Sequence, residues 1–276
     1  GTSDPNAGFG VVALAAGTTE ANEGASGAFR WAQSLNYGIM PNPAIINTFM
    51  VQGYDIGDPW NGGCPNHGIC NTTTAPYSVK LTPQVMGNLH CRDKQYVGSR
   101  YAMGAAKVIY GQEDHIYSGP LISGCSYDDK GMITISFNKT LLFNEKVIVQ
   151  EWAPWYNTSI PLPSRWSATQ VLVNKTKWTF INDMYGLSAG SDGYSVIVNV
   201  TDIAPDSSTT IDGIRYAWGD ITNSALCCGT MNTQIQPCPM ASCPIVSSDT
   251  ILPASPINAM IVNGKCVCYE PQQCNE

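Results

Sequence analysis

Histidine is scarce in this chain, with three in 276 residues, and so is charge. Charged side chains make up 13% of the sequence, and 14 Lys and Arg stand against 21 Asp and Glu, for a net charge of −7. Binding a polyphosphate backbone needs a basic stripe or patch, and no basic run exists, so nucleic acid is excluded as a partner. No apolar run reaches the 18 or so residues that a bilayer-spanning helix requires, so no membrane span is expected. There is no internal repeat, no recognisable signal segment, and no Gly-x-Ser-x-Gly turn of the kind that exposes a nucleophilic serine. Cys227, Cys228, Cys238 and Cys243 lack a regular pair of Cys-x-x-Cys spacings and a nearby histidine, so they read as disulfide partners rather than zinc ligands.

Cysteine itself is plentiful. Eleven cysteines accompany five Asn-x-Ser/Thr sequons, at Asn71, Asn138, Asn157, Asn174 and Asn199. Together they point to an oxidised, N-glycosylated protein of the secretory pathway, secreted or lysosomal, numbered as a mature chain. The odd count leaves one cysteine free or bonded to another chain. Cys125, far in sequence from the other cysteines, is the candidate. Apolar residues make up 43% of the chain, enough for a packed core in one large domain or two.

Residues 1 to 28 are rich in Gly, Ala, Thr and Ser and read as a strand fragment, Val11 to Ala16, followed by an exposed loop. Residues 44 to 54 (AIINTFMVQGY) read as a buried strand of the parallel-sheet type, with Asp55 and Asp58 at its carboxyl end. A long loop then runs from 56 to 89; loops of that length inside a compact domain are usually functional. After Pro120 the texture changes to short runs of strand type: 132–138, 146–152, 169–174, 177–182, 194–200 and 211–218. Their alternation and turn residues predict an antiparallel β-sandwich. Residues 219 to 255 form a Pro, Ser and Cys-rich loop, and Asn263-Gly264 is a hairpin turn signal.

The long loop ends at His90. Asp93 is a good N-cap, Val97, Tyr101, Ala105 and Val108 share one helical face, and Gly111 suits the C-cap, so a helix is expected from about residue 94. A histidine just before a helix N-terminus feels the positive end of the macrodipole. That disfavours the imidazolium and keeps the ring neutral, as a general base must be. The competing reading is a polar loop histidine satisfied by the backbone.

The segment His90-Cys91-Arg92-Asp93-Lys94-Gln95, followed by Val108-Ile109-Tyr110-Gly111 and Ser118-Gly119-Pro120-Leu121, resembles the catalytic-histidine region of the sialate O-acetylesterase family within the SGNH-hydrolase superfamily. Upstream FRWAQ (29–33), YGIMPNPAIINTFM (37–50) and YDIGD (54–58), and downstream IRYAW (214–218) and LPASPINAMIV (252–262), resemble further family blocks in the same order. The resemblance implies an α/β fold: residues 1–119 as the C-terminal part of an SGNH (flavodoxin-like) hydrolase domain, and 120–276 as a disulfide-rich antiparallel β-sandwich domain.

It also implies a serine esterase that removes O-acetyl groups from sialic acids or other sugars without a metal or organic cofactor. His90 would be the catalytic base. The family's Gly-Gln-Ser-Asn nucleophile block has no counterpart here, so the serine is expected on a companion N-terminal chain of the same precursor, in a heterodimer. The family's aspartate three residues before the histidine is replaced by Gly87; Asp58 and Asp55 are candidates to orient the imidazole, or are strand-end turn residues. Arg30 and Gln33 match an Arg-x-x-Gln pair that positions substrate or locks the neighbouring loop. Cys91 replaces a proline and is expected in a disulfide that fixes the His90 loop. The rival reading is a secreted glycoprotein that keeps the fold but has lost or repurposed catalysis, for carbohydrate binding or surface structure.

Overall fold

The structure, a computed structural model, describes residues 7–14, 25–35, 38, 40–42, 45–54, 94–150, 168–181, 186–206, 208–218 and 243–268. Its first part is a parallel pair, β1 (Phe9–Ala13) and β2 (Thr48–Gln52), in register from Phe9↔Thr48 to Ala13↔Gln52. All five residues of β2 are buried, as its apolar run predicts. Helix α1 (Ala25–Gln33) packs on β1, and α2 (Lys94–Val108) packs on both strands.

Two helical details depart from expectation. Residues 25–28, read as loop, are the first turn of α1. Their Gly and Ser content hides a helix that tertiary contact requires: a Cβ on Gly27 would stand 2.2 Å from the Trp218 carbonyl. In α2, the face Val97, Ala105, Val108 is only half-buried and Tyr101 is 38% exposed, while Arg100 and Gly104 are the buried residues. The helix approaches β2 through Gly104, because a Cβ there would stand 2.3 Å from the Phe49 ring. Tyr101 then meets Phe49 edge-on at 4.8 Å between centroids. Gly111, at φ +69°, follows the helix as expected of a C-terminal glycine.

The second part is antiparallel. Among the described residues nine strands form one hydrogen-bonded sheet: β3 (Ile122–Tyr127), β4 (Met132–Phe137), β6 (Thr169–Val173), β7 (Lys177–Phe180), β8 (Leu187–Ala189), β9 (Ser195–Asn199), β10 (Ile211–Tyr216), β12 (Ile257–Val262) and β13 (Lys265–Cys268). Their order is β7-β6-β10-β12-β13-β3-β4-β9-β8, and β5 (Val147–Val149) pairs separately with β11 (Ile245–Ser247). The six strand runs read from the sequence all carry strands. The β12–β13 hairpin turns at Asn263 and Gly264, both at positive φ (51° and 74°), as the two-residue turn signal predicts.

The nine strands fall into two halves joined by a narrow seam. Between β13 and β3 the register is the single pair Lys265↔Ser126. Yet Val171, Ile214 and Ile257 from one half and Ile133, Ile135, Val196 and Val198 from the other lie in one buried cluster, each at 0% exposure. The two halves therefore share a core, and the seam has to hold. It is held by a disulfide between Cys125 on β3 and Cys266 on β13, with Cα atoms 5.0 Å apart. This corrects the assignment of Cys125 as the odd cysteine: neighbouring strands bring together two residues 141 positions apart, which sequence spacing could not reveal. Cys243 is also disulfide-bonded.

Non-reducing peptide mapping should recover a Cys125–Cys266 pair. Replacing both with serine should lower stability by about 2–4 kcal/mol in urea denaturation, because the bond closes a long loop in the unfolded chain.

Candidate functional site

In open α/β sheets, ligands bind beyond the carboxyl ends of the parallel strands. At that end of β1 and β2 the organising side chain is Arg30. It is 1% exposed and projects from α1. Its Nε donates to the carbonyl of Leu14, just past β1, and one terminal nitrogen donates at 2.9 Å to the carbonyl of Ala217, just past β10. Its guanidinium lies 5.4 Å from the ring centroid of Tyr54, just past β2. Three chain segments far apart in sequence thus converge on one cation.

Gln33, one helical turn on, completes the attachment. Its Nε2 donates to the Val12 carbonyl at 2.8 Å, and its Oε1 accepts from the Leu14 amide at 3.4 Å. The Arg-x-x-Gln spacing puts both groups on one face of α1, where they read the free main chain at the end of β1. Trp31 meets Trp218 at a tilt of 55°, with ring centroids 5.7 Å apart, which fixes α1 against the chain just past β10. Arg30 and Gln33 both spend their polar groups on main chain at the ends of β1 and β10.

The end of β2 is tied just as closely. The Gln52 carbonyl accepts from Arg100 of α2 at 2.7 Å. The Gln52 amide, fully buried, donates from Nε2 to Ser118 Oγ at 2.9 Å and Ser255 Oγ at 3.0 Å. The Tyr54 hydroxyl donates to the Ala254 carbonyl. Beside these groups lies a cavity of about 120 Å³ between the α/β part and the antiparallel sheet, lined in part by Met40, Met50, Leu121, Ser118 and Ser255. Tyr117 borders it, and burial pushes its phenol up to about 12.

His90, Asp55, Asp58 and Cys91 lie outside the described residues, as do the sequons at Asn71 and Asn157 and three of the four cysteines of the zinc alternative, Cys227, Cys228 and Cys238. Among the described residues no cluster of His, Cys, Asp and Glu could hold a metal ion, and no helix is long and apolar enough to cross a membrane. Asn174 and Asn199 are exposed, on the β6–β7 turn and at the end of β9, and Asn138 is half-buried just past β4. Sequence reading missed Arg100, Gln52, Tyr54 and Ser255. The one available signal was Gln52, an amide closing an otherwise apolar strand.

The fold is similar to that of a crystal structure of a carbohydrate acetylesterase from Xanthomonas citri, with a TM-score of 0.50 and 18% identity over 91% of this chain and 40% of that one. No protein-family model matches the chain. The sialate O-acetylesterase of Rattus norvegicus is 24% identical over 245 residues, covering 85% of this chain and 32% of the relative. That of Homo sapiens is 23% identical over 258 residues, covering 92% of this chain and 37% of the relative. The chain spans about a third of the length of the curated relatives it matches, which are named sialate O-acetylesterases.

Two measurements check the geometry. Arg30→Met should cost about 3 kcal/mol or more in urea denaturation, since two buried carbonyls lose charge-assisted bonds, and Gln33→Ala about 1 kcal/mol. A residue that only touched substrate would leave stability unchanged. For Tyr117, folding favours the neutral phenol, so the native pKa lies above the unfolded one. Its contribution is complete below pH 10 and declines as pH rises from 10 to 12. Tyr117→Phe should flatten that decline.

Proposed function

We propose that this chain is part of a carbohydrate O-acetylesterase, with His90 as its general base and the nucleophilic serine carried by polypeptide outside this sequence. The observation that carries this reading is the extent of the similarity: 85–92% of this chain aligns with enzymes named sialate O-acetylesterase, but only 32–37% of their length is engaged. The α/β part supports it physically. Among the described residues the parallel sheet has two strands, and sheets of this type are ordinarily covered on both faces and extended at their edges. Here Phe9 of β1 is 62% exposed, Ile46 67% and Tyr110 75%, apolar surface suited to the rest of a hydrolase domain. Residues 1–119 act as the C-terminal part of that domain and 120–276 as its β-rich companion domain. The missing part is a companion chain from the same precursor, held as a heterodimer.

The reaction follows from the residue types. A serine Oγ attacks the acetyl carbonyl as His90 takes its proton. The tetrahedral intermediate collapses, the sugar oxygen leaves with that proton, and an acetyl-serine remains. His90 then takes a proton from water as the water attacks, and acetate departs while the serine recovers its proton. Asp58 or Asp55, just beyond β2, holds the imidazole in the productive tautomer. Arg30 and Gln33 act at one remove, keeping the strand ends and α1 in place. The substrate class is an O-acetylated sugar, sialic acid first. The sequons and cysteines support a secretory-pathway protein, secreted or lysosomal, with glycans at Asn71, Asn138, Asn157, Asn174 and Asn199.

The test is acetate release from an O-acetylated sialic acid by the reassembled protein. His90→Ala should fold normally and lose a factor on the order of 10⁴ to 10⁶ in rate, while His67→Ala should change it by less than about tenfold. Normal acetate release by folded His90→Ala protein would end the assignment. Absence of acetate release from every assembly, with sugar binding retained, would favour the non-catalytic glycoprotein. Intact mass from the native source should exceed 29.7 kDa by glycan increments.

A further inference from the structure

The cavity beside Gln52 has a polar lining that its neighbours do not satisfy. Gln52 is fully buried, and its Oε1 has no hydrogen-bond partner. Its Nε2 hydrogens go to the oxygens of Ser118 and Ser255, so the two hydroxyl protons must be donated elsewhere. Turning the amide over does not remove the excess. Oε1 would then accept from both hydroxyls and Nε2 would be left with two buried, unmatched hydrogens. Gln52 does not line the cavity, whereas Ser118 and Ser255 do. The first arrangement therefore becomes the favourable one whenever something in the cavity accepts from the two serines. Ser118 is half-buried but Ser255 is 2% exposed, and leaving the Ser255 hydroxyl proton unmatched is costly, so an acceptor in the cavity is favoured.

The remaining lining defines that acceptor. Among the described lining residues none is a carboxylate, while Lys107 and His115 both reach the cavity. The Lys107 ammonium donates at 2.7 Å to the main-chain carbonyl of Glu113 and sits 3.8 Å from the centroid of Phe143, also in the lining, while the Glu113 carboxylate is 3.7 Å away and 85% exposed. The other walls are apolar, with Met40, Met50, Leu121 and Leu141 surrounding the two hydroxyls. A flexible methionine wall adapts to a small aliphatic group.

We propose that this cavity is a binding site for a small monocarboxylate with a short apolar tail. The carboxylate oxygens accept from Ser118 and Ser255, Lys107 supplies the positive field, and the tail lies against Met40, Met50 and Leu121. A pocket of about 120 Å³ accommodates a ligand of a few carbon atoms, such as propionate or butyrate. The site does not depend on the esterase reading, and binding is measured without turnover.

The experiment titrates the full chain with sodium butyrate and with butyramide, its neutral counterpart, by ligand-observed NMR. Butyrate should bind saturably with a Kd in the millimolar range, on the order of what so small a ligand can reach. Butyramide should bind at least about tenfold more weakly. Ser118→Ala and Lys107→Gln should each weaken butyrate several-fold. Glu113→Gln, which removes the carboxylate facing Lys107 but leaves the main-chain carbonyl bond and does not touch the cavity, should tighten it. That opposite sign is not expected from damage to the fold, and the Glu113 side chain is 85% exposed, so this variant remains informative if a serine variant fails to fold. Lack of saturable butyrate binding, equal binding of butyramide, or affinity indifferent to Lys107→Gln and Glu113→Gln would each overturn the proposal.

Discussion

The buried guanidinium of Arg30 is the interaction on which the arrangement of the molecule depends. A cation removed from water has to be satisfied where it stands, and here the partners are main-chain carbonyls at Leu14 and Ala217 and the face of Tyr54. These belong to the ends of β1, β10 and β2. The α/β part and the antiparallel part are therefore joined through one side chain that neither can satisfy alone. Fork geometry explains the choice of residue: a planar group with donors in fixed directions can bond two carbonyls while its face meets a ring, which an ammonium cannot do.

Around that point the contacts repeat one pattern, in which polar groups close to the strand ends bridge the two parts. Gln52 reaches Ser118 and Ser255, Tyr54 reaches Ala254, and Arg100 returns to the Gln52 carbonyl. These bonds confine the ends of the parallel strands, where the proposed chemistry takes place, without lending the strands any reactive group. The Cys125–Cys266 bond has the matching role in the antiparallel part, since it closes the one place where the nine-stranded sheet is barely hydrogen-bonded.

Much of this was legible in the residues. The apolar run around Thr48–Gln52, the alternating runs after Pro120, the Asn263-Gly264 turn and the helix beginning at Lys94 follow from local pattern, because burial on one or both faces imposes periodicity on the chain. The similarity to sialate O-acetylesterases was legible too, from ordered blocks rather than from any single motif. What local pattern could not supply was the helix at Ala25–Gln33, whose glycines and serine argue against it until Trp218 is in place.

By itself, the sequence determined the kinds of element, because these depend on composition and near-neighbour order. Only the tertiary structure decided that Arg30 and Gln33 lock strand ends, that Cys125 pairs across 141 positions, and that Gln52, Ser118 and Ser255 meet beside a cavity. Each is a contact between residues distant in sequence. Its partner is set by where the chain returns after folding, and no periodicity of 2 or 3.6 residues records that.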